Sequence, residues 1–217
     1  MLLRKRSKLI QGVGVNDSDY SVVEYETVGG KRKIIWICPF YQTWKSMLVR
    51  CYSEKYHLKQ PTYKGCTICD EWFTFSDFKA WMEQQDWEGK QLDKDLLKEG
   101  NKVYSPDNCI FVPKIVNSFT VDNGNARGDY MIGVYWDKDA GKFRSMCNNP
   151  FTGKLEHLGR FTNELEAHLT WKKRKHELAC QLAESEYCND PRLAEALKTR
   201  YDYCAFPKDV EVIYDRY

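Results

Sequence analysis

β-branched and aromatic residues from Val23 to Cys38, broken by Gly29-Gly30, predict a short hairpin near the start of the chain. Helical spacing follows. Trp44, Met47, Leu48 and Cys51 fall at i, i+3, i+4 and i+7, an apolar stripe with Lys45 and Arg50 outside it, and this stripe reads as core. Beyond a loop marked by Pro61 and Gly65, Ser76 is placed to cap a helix whose Phe78, Trp81 and Met82 face inward, and Gly89 ends that unit. The segment from Asn123 to Asp129 has little apolar content and two glycines, so it is the expected linker. Past it the period becomes two. Gly133–Asp137 and Lys142–Cys147, separated by Lys138-Asp139-Ala140-Gly141, predict a second hairpin, and Leu155–Phe161 supplies a third strand. Asn163 with Glu166 has the form of a capping box, and Leu165, Leu169, Lys172, His176, Ala179 and Leu182 carry a helix to about Ala183.

This pattern gives an α+β fold. Residues 1–122 form one domain, 123–129 the linker, 130–184 a three-stranded sheet with one helix, and 185–217 an acidic, aromatic extension. With 217 residues, 42% of them hydrophobic and 14% aromatic, the chain is long and apolar enough for packed cores, which excludes a disordered protein. The net charge of +2 excludes a polycation, so any nucleic-acid surface depends on how charge is distributed. Arg4, Lys5, Arg6 and Lys8 open the chain without an acid, either as a nucleic-acid-binding arm or as a solvated terminus. Residues 129–176 hold nine bases against six acids, whereas residues 184–217 hold eight acids against five bases. Nine cysteines is an odd number and no signal-like apolar run opens the chain, so the expected compartment is a reducing cytoplasm, with no membrane segment.

Two stretches carry a family resemblance. GVYWDKDAGKFRSM, from Gly133, and LEHLGRFTNELEAHLTW, from Leu155, resemble the AP2-type DNA-binding domain over roughly Tyr130 to Glu184. The resemblance implies a three-stranded sheet lying in the DNA major groove with a helix bracing its back. It implies that Trp136, Lys138, Arg144, Lys154 and Arg160 touch phosphates or base edges, in keeping with bidentate pairing of Arg to guanine and neutralisation of phosphate by Lys. Singly, a basic residue on a strand is more often only solvated, and Trp136 is equally suited to a core.

Upstream, YQTWKSMLVRCYS, PTYKGCTICDEWFTFSDFKAWM and LDKDLLKEGNKVYSPDNCIFVP resemble phage-type HNH endonucleases that carry an AP2 domain. That resemblance implies a ββα unit around one Mg²⁺ or Mn²⁺ ion. Asp93 takes a metal-ligand position, Asn108 the place of the loop-bracing asparagine, and Asn117, nine residues on, the second metal ligand. Lys94 stands where the family's general-base histidine usually does, and no histidine lies between Leu58 and Glu156. A lysine beside Asp93 and Asp95 keeps its proton, so Lys94 is expected to clamp phosphate or stabilise the leaving group instead of acting as a base. The alternative for Asp93, Lys94 and Asp95 is a surface ion-pair cluster.

Cys66 and Cys69 have the two-residue gap of a zinc knuckle, and Cys38, Cys51 and Cys109 are the thiols available to complete a structural Zn²⁺ site; without a second close pair they read equally as buried free thiols. His57, His157, His168 and His176 do not converge on a site by spacing. The expected function is sequence-directed, homing-type cleavage or nicking of double-stranded DNA. The alternative is a catalytically silent HNH/AP2 DNA-binding protein acting as a regulator or as an inhibitor of another machine. A weaker reading is single-stranded nucleic-acid binding through Trp36, Trp72 and Trp87. In the C-terminal extension, Tyr201, Tyr203, Phe206 and Tyr214 call for packing on the protein's own core, on a second copy, or on a protein partner.

Overall fold

The computed structural model describes residues 9–121 and 129–202, which fall in two compact units, Met1–Val112 and Pro113–Tyr217. The basic opening, residue 122 with residues 123–128 of the expected linker, and the aromatic positions Tyr203, Phe206 and Tyr214 lie outside the described residues. The architecture is α+β, built on small sheets.

The first unit opens with the expected hairpin. Strands β1 (Val23–Val28) and β2 (Lys31–Ile37) pair antiparallel across Gly29-Gly30, whose φ values of 58° and 76° suit the left-handed two-residue turn that glycine favours. A bulge between Glu24 and Tyr25 leaves Ile35 without a cross-strand partner. Helix α1 (Pro39–Tyr52) starts on a proline and buries Trp44, Met47, Leu48 and Cys51, as their spacing requires. Trp44 donates its indole N–H to the Trp72 carbonyl at 2.7 Å, so its one polar atom is satisfied inside the core. Gly14 is packed against this stripe so closely that an added Cβ would overlap Trp44 and Leu48.

Helix α2 (Glu54–Lys59) and a short parallel pair, β3 (Thr67–Ile68) with β5 (Val103–Tyr104), follow around helix α3 (Phe75–Met82). Phe75, Phe78 and Met82 are buried, whereas Trp81 is half-buried and packs on Trp72 and Phe111. Ser76 does not cap α3 with its own side chain. The Asp17 carboxylate, 59 residues earlier, accepts the Ser76 backbone N–H at 3.0 Å and its hydroxyl at 2.6 Å, doing from a distance what a local cap does. Strand β4 (Lys90–Asp93) pairs with β6 (Ile110–Pro113).

The second unit contains helix α4 (Lys114–Thr120) and an antiparallel sheet of β7 (Val134–Asp137), β8 (Lys142–Asn148) and β9 (Leu155–Phe161) in the order β7-β8-β9. Helix α5 (Glu164–Ala183) is capped by Asn163, whose Oδ1 accepts the Leu165 and Glu166 N–H groups at 2.8 and 3.3 Å. It buries Ala167, Trp171, Leu178, Ala179, Leu182 and Ala183, the small residues allowing close approach to the sheet. Trp171 lies against Gly133, where φ is +81° and an added Cβ would fall within the indole ring. Helix α6 (Pro191–Arg200), capped by Asp190 and buried through Leu193 and Leu197, completes the unit. Tyr201 meets Phe119 and Trp171 edge-on, so this tyrosine packs on the protein's own second unit.

Candidate nucleic-acid interface

Register decides which side chains share a face of the three-stranded sheet. Tyr135 pairs with Arg144, and Arg144 pairs with Arg160, so the three form one cross-strand row. The adjacent row, Val134, Ser145 and Gly159, points the other way, and Val134 and Ser145 are fully buried under α5. Tyr135 is therefore on the face away from the helix and is 42% exposed. Arg160 donates through Nε to Asp137 at 2.9 Å, and this hydrogen bond holds the Asp137 carboxyl below its ordinary range. Arg144, at the centre of the row, has a buried Nε with no hydrogen-bond partner among the described residues.

The five residues expected from the AP2 resemblance separate accordingly. Arg144 and Arg160 share the outward row. Trp136 pairs directly with Phe143, ring centroids 4.8 Å apart, and alternation puts both on the helix side of the sheet. Its indole is nonetheless 40% exposed. Lys138 is exposed in the β7–β8 turn and Lys154 just before β9, at opposite ends of β8. Tyr135 is the residue the sequence reading missed. Its neighbour Trp136 is equally aromatic, and which of the two faces outward depends on which strand face α5 covers.

The Asp93 loop belongs to the first unit. Strand β4 ends at Asp93, whose Oδ1 accepts the Asp95 and Leu96 backbone N–H groups at 2.9 and 2.7 Å, a local turn of the kind aspartate favours. Burial, and then the like charge of Asp95, push the Asp93 carboxyl above its ordinary range despite these two bonds. Lys94 is only 6% exposed. Its Nζ donates to Asp95 Oδ2 at 2.9 Å and stands 5.7 and 5.8 Å from the Tyr63 and Tyr104 ring centroids. Burial alone would lower its pKa, but the bond and charge of Asp95 outweigh it and hold it above the usual lysine value. Lys94 is thus a fixed cation and no proton acceptor at neutral pH.

Asn108 donates to the Val103 carbonyl at 3.4 Å. The tighter brace is Asn101, absent from the sequence reading, which donates to the Lys94 carbonyl at 2.6 Å and the Val103 carbonyl at 2.8 Å and so closes the loop between β4 and β5. Only its side-chain geometry, and no motif, identifies it. Asn117 lies on α4, in the second unit.

Cys66 is buried and Cys69 half-buried, and both thiols are free. Burial pushes the Cys69 thiol up to about 11 and the Cys51 thiol up to about 12, so as placed they are protonated packing groups. Among the described residues, no three His, Cys, Asp or Glu side chains are grouped to hold a metal ion. His57, His168 and His176 engage the Arg50 carbonyl, the Ile132 carbonyl and the Cys180 sulfur respectively. No helix among the described residues is long and apolar enough to cross a membrane. Compared with family models, curated proteins and solved structures, the chain finds no match.

Proposed function

We propose that this chain is a sequence-directed binder of double-stranded DNA, of HNH/AP2 type, whose Asp93 loop carries metal-dependent cleavage or nicking. The observation that supports the binding half is the outward row of Tyr135, Arg144 and Arg160 across the three-stranded sheet. A three-stranded sheet backed by one helix presents side chains at the width of a major groove, and an outward arginine suits guanine edges or phosphate. Lys138 and Lys154, exposed at opposite ends of β8, are spaced to reach backbone phosphates on either side of that row.

Support for the cleavage half is chemical. The Asp93 carboxylate, raised by burial and by Asp95, is the kind of oxygen donor a hard cation takes, and a cation relieves the repulsion that raises it. Magnesium or manganese, when bound, supplies Lewis-acid activation of water and of the scissile phosphate. Lys94, held charged by Asp95, would oppose charge developing on a phosphate oxygen, and Asn101 fixes the loop that presents it. The second reading, a DNA-bound regulator without cleavage, is favoured by one observation: the cation at Lys94 cannot take a proton from water.

Supercoiled plasmid incubated with the protein and magnesium or manganese separates the readings. Metal-dependent nicking that Asp93→Ala abolishes establishes the enzyme. Duplex binding without nicking establishes the regulator, and absence of duplex binding removes both.

A further inference from the structure

The first unit contains an open groove of about 390 Å³ between the β1–β2 hairpin and α1, within the roughly 300–1,000 Å³ range of ligand clefts. Its hairpin wall is Val23, Tyr25, Ile34 and Ile37, and its helix wall includes Tyr41, Lys45 and Arg50. Charge is sorted by strand alternation. Tyr25 pairs with Ile34 on the groove face, and Arg32, opposite Thr27, is on the same face with its guanidinium 4.2 Å over the Tyr25 ring. Glu24, opposite Trp36, and Glu26, opposite Lys33, point to the other face. Among the described residues no acid lines the groove, while Lys45, Arg50 and the neighbouring Arg32 are cations and Tyr25, Tyr41 and Tyr56 provide flat aromatic surface.

Such a lining selects a ligand that is both anionic and planar. We propose that this groove binds an unpaired nucleic-acid strand, with phosphates on Lys45 and Arg32 and a base stacked on Tyr25. Tyr25 is 47% exposed and lies on the hairpin wall, outside the buried core. Arg50 stands 5.7 Å from the Tyr63 ring centroid, and Lys94 stands 5.7 Å from the same ring. Arg50 of the groove wall and Lys94 beside Asp93 thus share one aromatic neighbour within the first unit. This surface is separate from the duplex-binding row and adds to it.

The test is fluorescence anisotropy of the full chain with labelled oligothymidylate of about 12 nucleotides, a length within the usual single-strand site sizes. Lys45→Glu on the exposed helix surface and Tyr25→Ala on the hairpin are each expected to weaken oligothymidylate binding about tenfold. Their affinity for duplex DNA is expected to stay unchanged, and Arg144→Ala is expected to show the reverse pattern. Unfolding midpoints confirm that the variants are folded. Absence of oligothymidylate binding, or binding indifferent to both substitutions, overturns the proposal. So does equal affinity for thymidine monophosphate or for an oligoglutamate peptide, which would make the groove a nucleotide or acidic-peptide site.

Discussion

The Arg174 guanidinium grips the Glu156 carboxylate at two points, Nε to Oε2 at 2.7 Å and Nη2 to Oε1 at 3.1 Å, and so fastens α5 to the sheet at β9. Asn149 donates to the same carboxylate at 2.7 Å, bringing the β8–β9 turn into the network. This clamp holds the helix behind the sheet whose front face carries Arg144, and the bidentate geometry makes it more than an ordinary surface pair.

Arg174, with Asn149, pushes the Glu156 carboxyl down to about 2. A carboxyl depressed in the folded state stabilises above its unfolded pKa and loses that contribution as pH falls through the folded value. Stability is therefore expected to decline between about pH 5 and pH 2. Glu156→Gln is expected to cost about 1–2 kcal/mol at neutral pH and to flatten this acid limb. Urea unfolding of both proteins at a series of pH values checks it.

Gly133→Ala is expected to destabilise the second unit by roughly 2–4 kcal/mol, since the new Cβ falls within the Trp171 ring and φ is positive. Gly141→Ala also meets a positive φ but open space, so its cost is expected to be smaller. Thermal unfolding followed by tryptophan fluorescence ranks the two.

Arg144→Ala is expected to weaken duplex binding by about 1–3 kcal/mol and to lower the salt dependence by about one counterion if the contact is to phosphate. Tyr135→Ala is expected to weaken binding as well, whereas Trp136→Ala, on the helix side, is expected to act mainly through stability. Isotherms at several salt concentrations, set beside unfolding midpoints, distinguish these effects. Unchanged affinity in Arg144→Ala removes the row from the interface.

Asp93→Asn keeps an oxygen able to accept the Asp95 and Leu96 N–H groups while removing a charge that burial and Asp95 disfavour. The sign is opposite to that of Glu156. A carboxyl raised in the folded state gains stability as pH falls through its folded value, so the amide is expected to be at least as stable as the native residue at neutral pH. Metal-dependent nicking is expected to disappear in the same variant. Lost stability in Asp93→Asn without metal would mean that the carboxylate itself supports the loop.

Much of this architecture was local enough to be legible. The stripe Trp44, Met47, Leu48 and Cys51, the Gly29-Gly30 turn, the Asn163 cap and the strand Leu155–Phe161 each depend on residues within a few positions of one another. The candidate site was legible only in part. Arg144 and Arg160 were singled out by the AP2 resemblance, but Tyr135 and Trp136 are adjacent aromatics whose opposite faces no single strand distinguishes.

By itself the sequence determined the first hairpin, α1, the three strands with the helix that follows them and the fixed charge at Lys94, because periodicity, capping and the pull of Asp95 act over one to four residues. The tertiary structure decided what lies between distant segments. Asp17 closes α3 across 59 residues, and Asn101 braces the loop that begins at Lys94. The hairpin and α1 flank an open groove lined by no acid among the described residues, because strand pairing turns Glu24 and Glu26 to the opposite side. Contacts of this kind depend on which surfaces bury each other, a choice made by packing free energy over the whole unit and not by the chemistry of neighbouring residues.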